Sequence, residues 1–242
     1  VSSRTPAAVE SALAGLNQPL RAAGMACDVG RLENVEALAA FTFSRFARLD
    51  IWVNNAGIAG PYGPALGLAP QTFTSVIQTN ILGTYHGSLV ALRHFLEQKH
   101  GKLINILGHG YKGPVPFQAA YSSSKIWIRS FTQSLIEENR GSGVSIFAYN
   151  PGMMNTELLT NIEVVTGYEQ KLKVFPTVVR ILARPPQVAA QEVLNLASSA
   201  TDGQAGKVLS IHSGPSMFLG ALKELSRRIS GKPAPDKIKI NS

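Results

Sequence analysis

The sequence predicts an α/β fold: a parallel sheet wound on both faces by helices into three α/β/α layers. Three observations predict it. Short apolar runs alternate with longer segments of helical period. The strand ends fall on loops rich in glycine and asparagine. At 242 residues, 45% of them hydrophobic and 16% charged, the chain has the size and composition of one α/β domain, 1–242.

In order along the chain, Val1-Ser2-Ser3 reads as the end of a strand, with a helix from Thr5-Pro6 onward. No glycine-rich strand-to-helix turn stands before it. Either the fold is unusual, or an N-terminal strand and helix are absent from the sequence as given. Val35, Leu38, Thr42, Phe46 and Leu49 recur every three or four residues and predict a helix with one apolar stripe. Asp50-Ile51-Trp52-Val53 is a strand that ends at Asn54-Asn55-Ala56-Gly57. A second helix carries Phe73, Val76, Ile77, Ile81 and Thr84, with Asn80 as a polar residue on an apolar face. Residues 102–107 form the next strand, ending at Gly108, and a third helix runs from about Gln118 to Asn139 before Gly141. Residues 144–149 form a strand stopped by Pro151-Gly152. Pro185-Pro186 opens a fourth helix through Val188, Val193, Leu194 and Leu196, and 208–211 is the last clear strand.

In doubly wound sheets the ligand crevice lies beyond the carboxyl ends of the strands. Asn54–Gly57, Gly108–Tyr111 and Pro151–Thr156 all fall there. Tyr121 and Lys125 are four residues apart and share one helical face. An ammonium beside a phenol favours the phenolate, so this pair suits proton transfer, although by itself it also fits an ordinary surface helix pair.

Net charge is +8 and the isoelectric point about 9.7, with mean hydropathy +0.07. The basic residues are spread along the body. The exception is the tail 215–242, where Lys223, Arg227, Arg228, Lys232, Lys237 and Lys239 face only Glu224 and Asp236. A nucleic-acid partner is not expected. The charge run reads as a solvated, mobile tail. It also carries Phe218, Leu222, Leu225 and Ile229 on one stripe, a basic amphipathic pattern that suits either an anionic membrane surface or a second subunit, the second being the plainer choice. No run approaches the roughly 18–20 apolar residues of a membrane-spanning helix. Val1–Pro6 lacks the basic and apolar regions of a secretory leader. The single cysteine, Cys27, offers neither an intrachain disulfide nor a metal cluster, which leads to the expectation of no metal and a reducing, cytoplasmic location.

Six stretches taken in order carry a resemblance: Cys27-Asp28-Val29, Asn54-Asn55-Ala56-Gly57, Asn80 with Gly83, Tyr121-x-x-x-Lys125, Pro151-Gly152-x-x-x-Thr156 and Gly206-Lys207-Val208-Leu209. From Cys27 to Gly214 the chain resembles the short-chain dehydrogenase/reductase family, with its Rossmann-like fold. The resemblance implies that Tyr121 is the general acid/base, that Lys125 holds the nicotinamide ribose and lowers the Tyr pKa, and that Asn80 kinks its helix and holds a relay water. It implies that Asn54, Ala56 and Gly57 line the adenine-ribose side, that Asp28 and Val29 meet the adenine, and that Thr156, after Pro151-Gly152, binds the carboxamide or phosphate. It also implies a small-molecule substrate and a homodimer or homotetramer. Segment 157–185 becomes the substrate lid, and its apolar content suggests a hydrophobic substrate.

Arg4 bears on the cofactor. An acid at that strand end would accept from the adenosine ribose and repel a 2′-phosphate. Ser3-Arg4 offers a hydroxyl and a guanidinium instead, so NADP(H) is expected over NAD(H).

Two departures stand out. The family's glycine-rich diphosphate cradle is absent from the sequence as given. The family's catalytic serine position, thirteen residues before Tyr121, holds Gly108. Three readings follow. His109, Tyr111 or a substrate hydroxyl supplies the donor for a carbonyl/alcohol interconversion. The chemistry tolerates the loss, as in C=C reduction, isomerisation or cyclisation. Or the protein binds cofactor without turnover.

Overall fold

The computed structural model describes residues 1–16, 21–204, 206–211, 214–233 and 238–241. β1 (Ser2–Ser3) leads into α1 (Pro6–Leu16), and β2 (Met25–Ala26) pairs with β1 in parallel. α2 (Leu32–Phe46) follows. It ends where Ala47 turns left-handed at φ 59°, so Leu49, expected on its stripe, lies beyond it in the core.

A four-stranded parallel sheet has the order β3 (Ile51–Asn54), β4 (Gly101–Ile106), β5 (Val144–Asn150), β7 (Val208–Ser210). Its two central strands alternate faces. Leu103 and Ile146 pack on one side with Ala91, Leu92 and Phe95 of α4 (Gly83–Gln98) and Leu135 of α5 (Ala119–Glu138). Ile104, Phe147 and Tyr149 pack on the other with Leu196 of α8 (Pro186–Ala197). A strand points successive side chains to opposite faces, so only strands apolar in both registers fit between two helical layers. The expectation of a doubly wound sheet is met.

The expected helix around Asn80 is three pieces. α3 (Pro70–Val76) starts with proline at its first position, where the missing N–H costs nothing. A π-helical stretch, Ile77–Leu82, then joins it to α4. The segment after β5 holds α6 (Glu157–Thr160), β6 (Asn161–Glu163) and α7 (Phe175–Leu182), with Val164, Leu172 and Val179 buried.

The tail departs from the expectation of a solvated, mobile segment. Over its described residues it forms α9 (Gly214–Ile229), packed on α7, and β8 (Lys239–Asn241), paired in parallel with β6. Asp236 and Lys237 lie outside the described residues. Among the described residues no helix is long and apolar enough to cross a membrane, and no cluster of metal-ligating side chains occurs.

Among the described residues β1 pairs only with β2, and β3, at the edge of its sheet, only with β4. Residues of both β1 and β3 line one cavity of about 910 Å³. Ile51 and Val53 of β3 are more than a third exposed, unusual for apolar residues on a strand of this sheet.

Candidate active site

Tyr121 and Lys125 stand on the buried face of α5, one turn apart, both less than a tenth exposed. Lys125 Nζ donates to the Ile106 carbonyl at the end of β4 (3.2 Å) and lies 5.6 Å from the Tyr121 ring centroid. Burial penalises the charged form of each group and moves them in opposite directions. The Tyr121 phenol is pushed up to about 12, and the Lys125 ammonium down to about 8.

Asn80 is fully buried in the π-helical stretch. Its Oδ1 accepts from the Ile58 N–H (2.9 Å), and its Nδ2 donates to the Ile58 carbonyl (2.9 Å) and to Ser124 Oγ (3.0 Å). Ser124 in turn donates to the Tyr121 carbonyl (2.7 Å). Asn80 thus ties the loop after β3 to the turn of α5 that carries Tyr121. Sequence reasoning missed Ser124. Its position, three residues after Tyr121 on the same helix, was the available signal.

Gly108 ends the loop from β4 against this pair. A Cβ built there would lie 2.3 Å from Tyr121 Oη, 3.2 Å from Tyr121 Cζ and 3.2 Å from Lys125 Cε. The tyrosine hydroxyl therefore fills the space that a side chain at position 108 would need. Gly57, at the end of β3, approaches the pair from the other side: a Cβ there would stand 3.6 Å from Lys125 Nζ.

Two cavities come close to the pair through its neighbours, although neither Tyr121 nor Lys125 lines either one. The larger runs along β1 and β3 and is lined by Arg4, Val29, Asn54, Ala56 and Gly57 among others. The second, about 730 Å³, is walled mainly by apolar side chains of the segment after β5 and of α7, including Leu158, Leu159, Ile162, Phe175 and Val178. Ile58 lines both, and His109, next to Gly108, opens into the second.

Other expected site residues are placed differently. The Asn54 side chain turns towards α4, accepting from Trp52 Nε1 (2.8 Å) and donating to Asn105 Oδ1 (2.8 Å), so it is committed to a buried polar network that also holds Thr132. Asp28 Oδ1 accepts from the Gly30 N–H (3.0 Å), closing its own turn. Tyr111 is buried among Leu107, Ile128 and Ala148 and lines neither cavity. Pro151 and Gly152 form the turn after β5, where the left-handed Gly152 (φ 75°) donates its N–H to Asn150 Oδ1. Thr156 begins α6. None of these three lines either cavity, although the neighbouring Glu157 lines the larger.

Comparison with known proteins shows the family and the fold. Residues 1–165 match the family described as short chain dehydrogenase. The chain is 31% identical over 239 residues to the chlorophyll(ide) b reductase NOL, chloroplastic, of Oryza sativa subsp. japonica, which covers 95% of this chain and 66% of that protein. It is 33% identical over 140 residues to the probable chlorophyll(ide) b reductase NYC1 of the same organism, covering 56% of this chain but only 27% of the relative's length. Among solved structures, ElxO with NADP bound superposes with TM-score 0.75 at 26% identity, covering 88% of this chain and 86% of that one. With the sheet, the Tyr121–Lys125 pair and the family match all in place, the chain belongs to the short-chain dehydrogenase/reductase family.

Proposed function

We propose that the protein is an NADP(H)-dependent oxidoreductase that interconverts a carbonyl and an alcohol on a hydrophobic small molecule. One observation carries the reading: a long cavity beside β1 and β3 and a separate apolar chamber share Ile58, and the buried pair sits close by, Lys125 beside Gly57 of the first and Tyr121 beside Gly108, which precedes His109 of the second. The first suits a dinucleotide. Arg4 lines it at the carboxyl end of β1, where the strand ends Ser-Ser-Arg without an acid, which favours a phosphate. Lys125 uses one donor on Ile106 and keeps others for ribose hydroxyls beside Gly57. The NADP bound by ElxO is consistent with this fit. Pro151, Gly152 and Thr156 would reach the cofactor only by closing over it. The bare edges of β1 and β3 along the same cavity support the expectation that one further strand, with its glycine-rich turn, belongs between them.

The second cavity suits the substrate. Its volume lies within the roughly 300–1,000 Å³ of small-molecule sites, and its apolar wall supports reading 157–185 as a lid over a hydrophobic ligand.

Bound nicotinamide supplies or accepts the hydride. This chain's residues manage the proton. With its phenol pushed up to about 12, Tyr121 is neutral at pH 7 and donates from Oη to a substrate oxygen as negative charge develops there. Lys125, pushed down to about 8, is mainly charged at pH 7, and its ammonium stabilises the phenolate left behind. Asn80 and Ser124 hold the backbone on which Tyr121 is mounted. His109, exposed in the apolar chamber, is the side-chain donor beside Gly108 that can meet the substrate oxygen.

The filled notch at Gly108 favours a second reading. With no donor at position 108 and the Tyr121 hydroxyl in its place, C=C reduction, isomerisation, cyclisation or cofactor binding without turnover also fits the site. A homodimer or homotetramer is supported by exposed Tyr85 and Leu96 on α4 and Ile126 on α5. The lone, buried Cys27 supports a reducing, cytoplasmic setting.

Fluorescence titration with NADPH and NADH tests the proposal. Micromolar NADPH binding at least ten-fold tighter than NADH is the expected result. Binding of neither overturns it.

A further inference from the structure

The helix α9 is mounted with its polarity reversed. The side of α9 that meets the body of the protein carries Gly220 and Glu224. A Cβ at Gly220 would stand 2.1 Å from the Ile181 carbonyl oxygen, so the backbones of α7 and α9 nearly touch there. Glu224 is buried and takes hydrogen bonds from Arg180 of α7 (3.1 Å) and from Arg227 (2.8 Å) and Arg228 (3.1 Å) of its own helix. These donors hold its carboxyl well below the usual carboxylate range. The opposite side carries Phe218, Leu222, Leu225 and Ile229, spaced four, three and four residues apart, each 46–79% exposed. A surface helix ordinarily turns its apolar stripe inward and its charges outward. Here the charges are the glue and the apolar stripe faces away from the protein.

We propose that this outer face of α9 docks on an anionic lipid membrane surface, with the apolar stripe inserted among the acyl chains and the flanking cations on the headgroups. Lys223 on one flank and Arg228 on the other are exposed, and Lys232 lies just beyond the end of the helix. An apolar stripe bordered on both sides by cations on long aliphatic stems is the arrangement of an interfacial helix.

Charge complementarity decides against a second copy of this chain. Each copy carries a net charge of +8, half of it in this tail, so two such faces would repel where a bilayer rich in anionic lipid attracts. Size argues the same way. The stripe is a handful of side chains on one helix, against roughly 20–30 residues a side in a stable protein interface. The position in the fold is also suggestive: α7 holds α9 with Arg180 and Ile181 while its Phe175 and Val178 line the apolar chamber, so a single helix separates the docking face from that chamber.

Co-sedimentation of the full chain with vesicles tests the proposal, using phosphatidylcholine alone and phosphatidylcholine with 30% phosphatidylglycerol. Binding to the anionic vesicles at least ten-fold tighter than to the neutral ones is expected, falling as salt is raised. Lys223→Gln and Lys232→Gln should each weaken it by about five-fold. Phe218→Ser with Leu225→Ser should abolish it while leaving the melting temperature and the NADPH titration unchanged. Failure to bind anionic vesicles, or binding indifferent to both sets of substitutions, overturns the proposal. If light scattering instead shows a dimer that Phe218→Ser with Leu225→Ser dissociates, and no vesicles are bound, the face joins two copies and the membrane assignment is wrong.

Discussion

Placing a methyl group at Gly108 puts it 2.3 Å from Tyr121 Oη and 3.2 Å from both Tyr121 Cζ and Lys125 Cε. Carbon–oxygen contacts in a well-packed interior start at about 3.4 Å, so the hydroxyl must retreat by about 1 Å. The Tyr121 ring is buried and has little room to do so. Overpacking of this kind costs about 1–3 kcal/mol. For a chain of this length that lowers the melting temperature by about 2–12 °C. The double-mutant cycle isolates the cause. Tyr121→Phe removes the atom at 2.3 Å, so Gly108→Ala should be much less harmful in that background, with a coupling of about 0.5–3 kcal/mol measured by denaturant unfolding. Gly108→Ser extends the test to chemistry. A serine there would return a hydrogen-bond donor, yet it must displace the tyrosine, and a 1 Å misplacement of a reacting group costs about 10²-fold in rate. NADPH-dependent reduction of a simple ketone should therefore fall rather than rise in Gly108→Ser. An equal penalty for Gly108→Ala in both backgrounds would refute the steric argument. A ten-fold gain in turnover by Gly108→Ser at an unchanged melting temperature would show instead that the site lacks only a donor.

Two other outcomes follow from the same site. Lys125, at about 8 in the folded protein and 10.5 in the unfolded chain, binds fewer protons when folded between those values. Stability should accordingly rise from pH 8 to pH 10 by on the order of 3 kcal/mol at most, before Tyr121 titration in the unfolded chain opposes it above pH 10. Urea midpoints across this range should show the rise in the natural protein and not in Lys125→Met; equal slopes would contradict the buried-ammonium account. Asn80→Ala leaves the Ile58 N–H and carbonyl without their partner and frees Ser124, so a loss of about 1–3 kcal/mol is expected in the same assay. A loss under half a kilocalorie would mean that water replaces the amide.

The strands and helices around the central sheet were legible because their signals are local. Runs such as Lys102–Leu107 and Val144–Tyr149 are apolar in both registers, and the helix before Gly141 carries its own stripe. The four-residue spacing of Tyr121 and Lys125 puts them on one helical face. The tail was misread for an equally physical reason. A charge run says nothing about which charges find partners, and Glu224 is buried only because Arg180, 44 residues earlier on α7, comes back to meet it. The lid segment hid its short elements because β6 is held by β8, a partner more than 70 residues away.

The sequence by itself determined the parallel α/β architecture and the shared helical face of Tyr121 and Lys125, since periodicity and i, i+4 spacing are properties of a single segment. Tertiary structure alone decided three things: that Asn54 is spent on a buried network while Asn80 clamps Ile58, that the Tyr121 hydroxyl occupies the space above Gly108, and that α9 turns its apolar stripe outward. Each depends on which atoms from distant segments compete for the same few cubic ångströms or the same hydrogen bond. That competition is settled only when the segments pack.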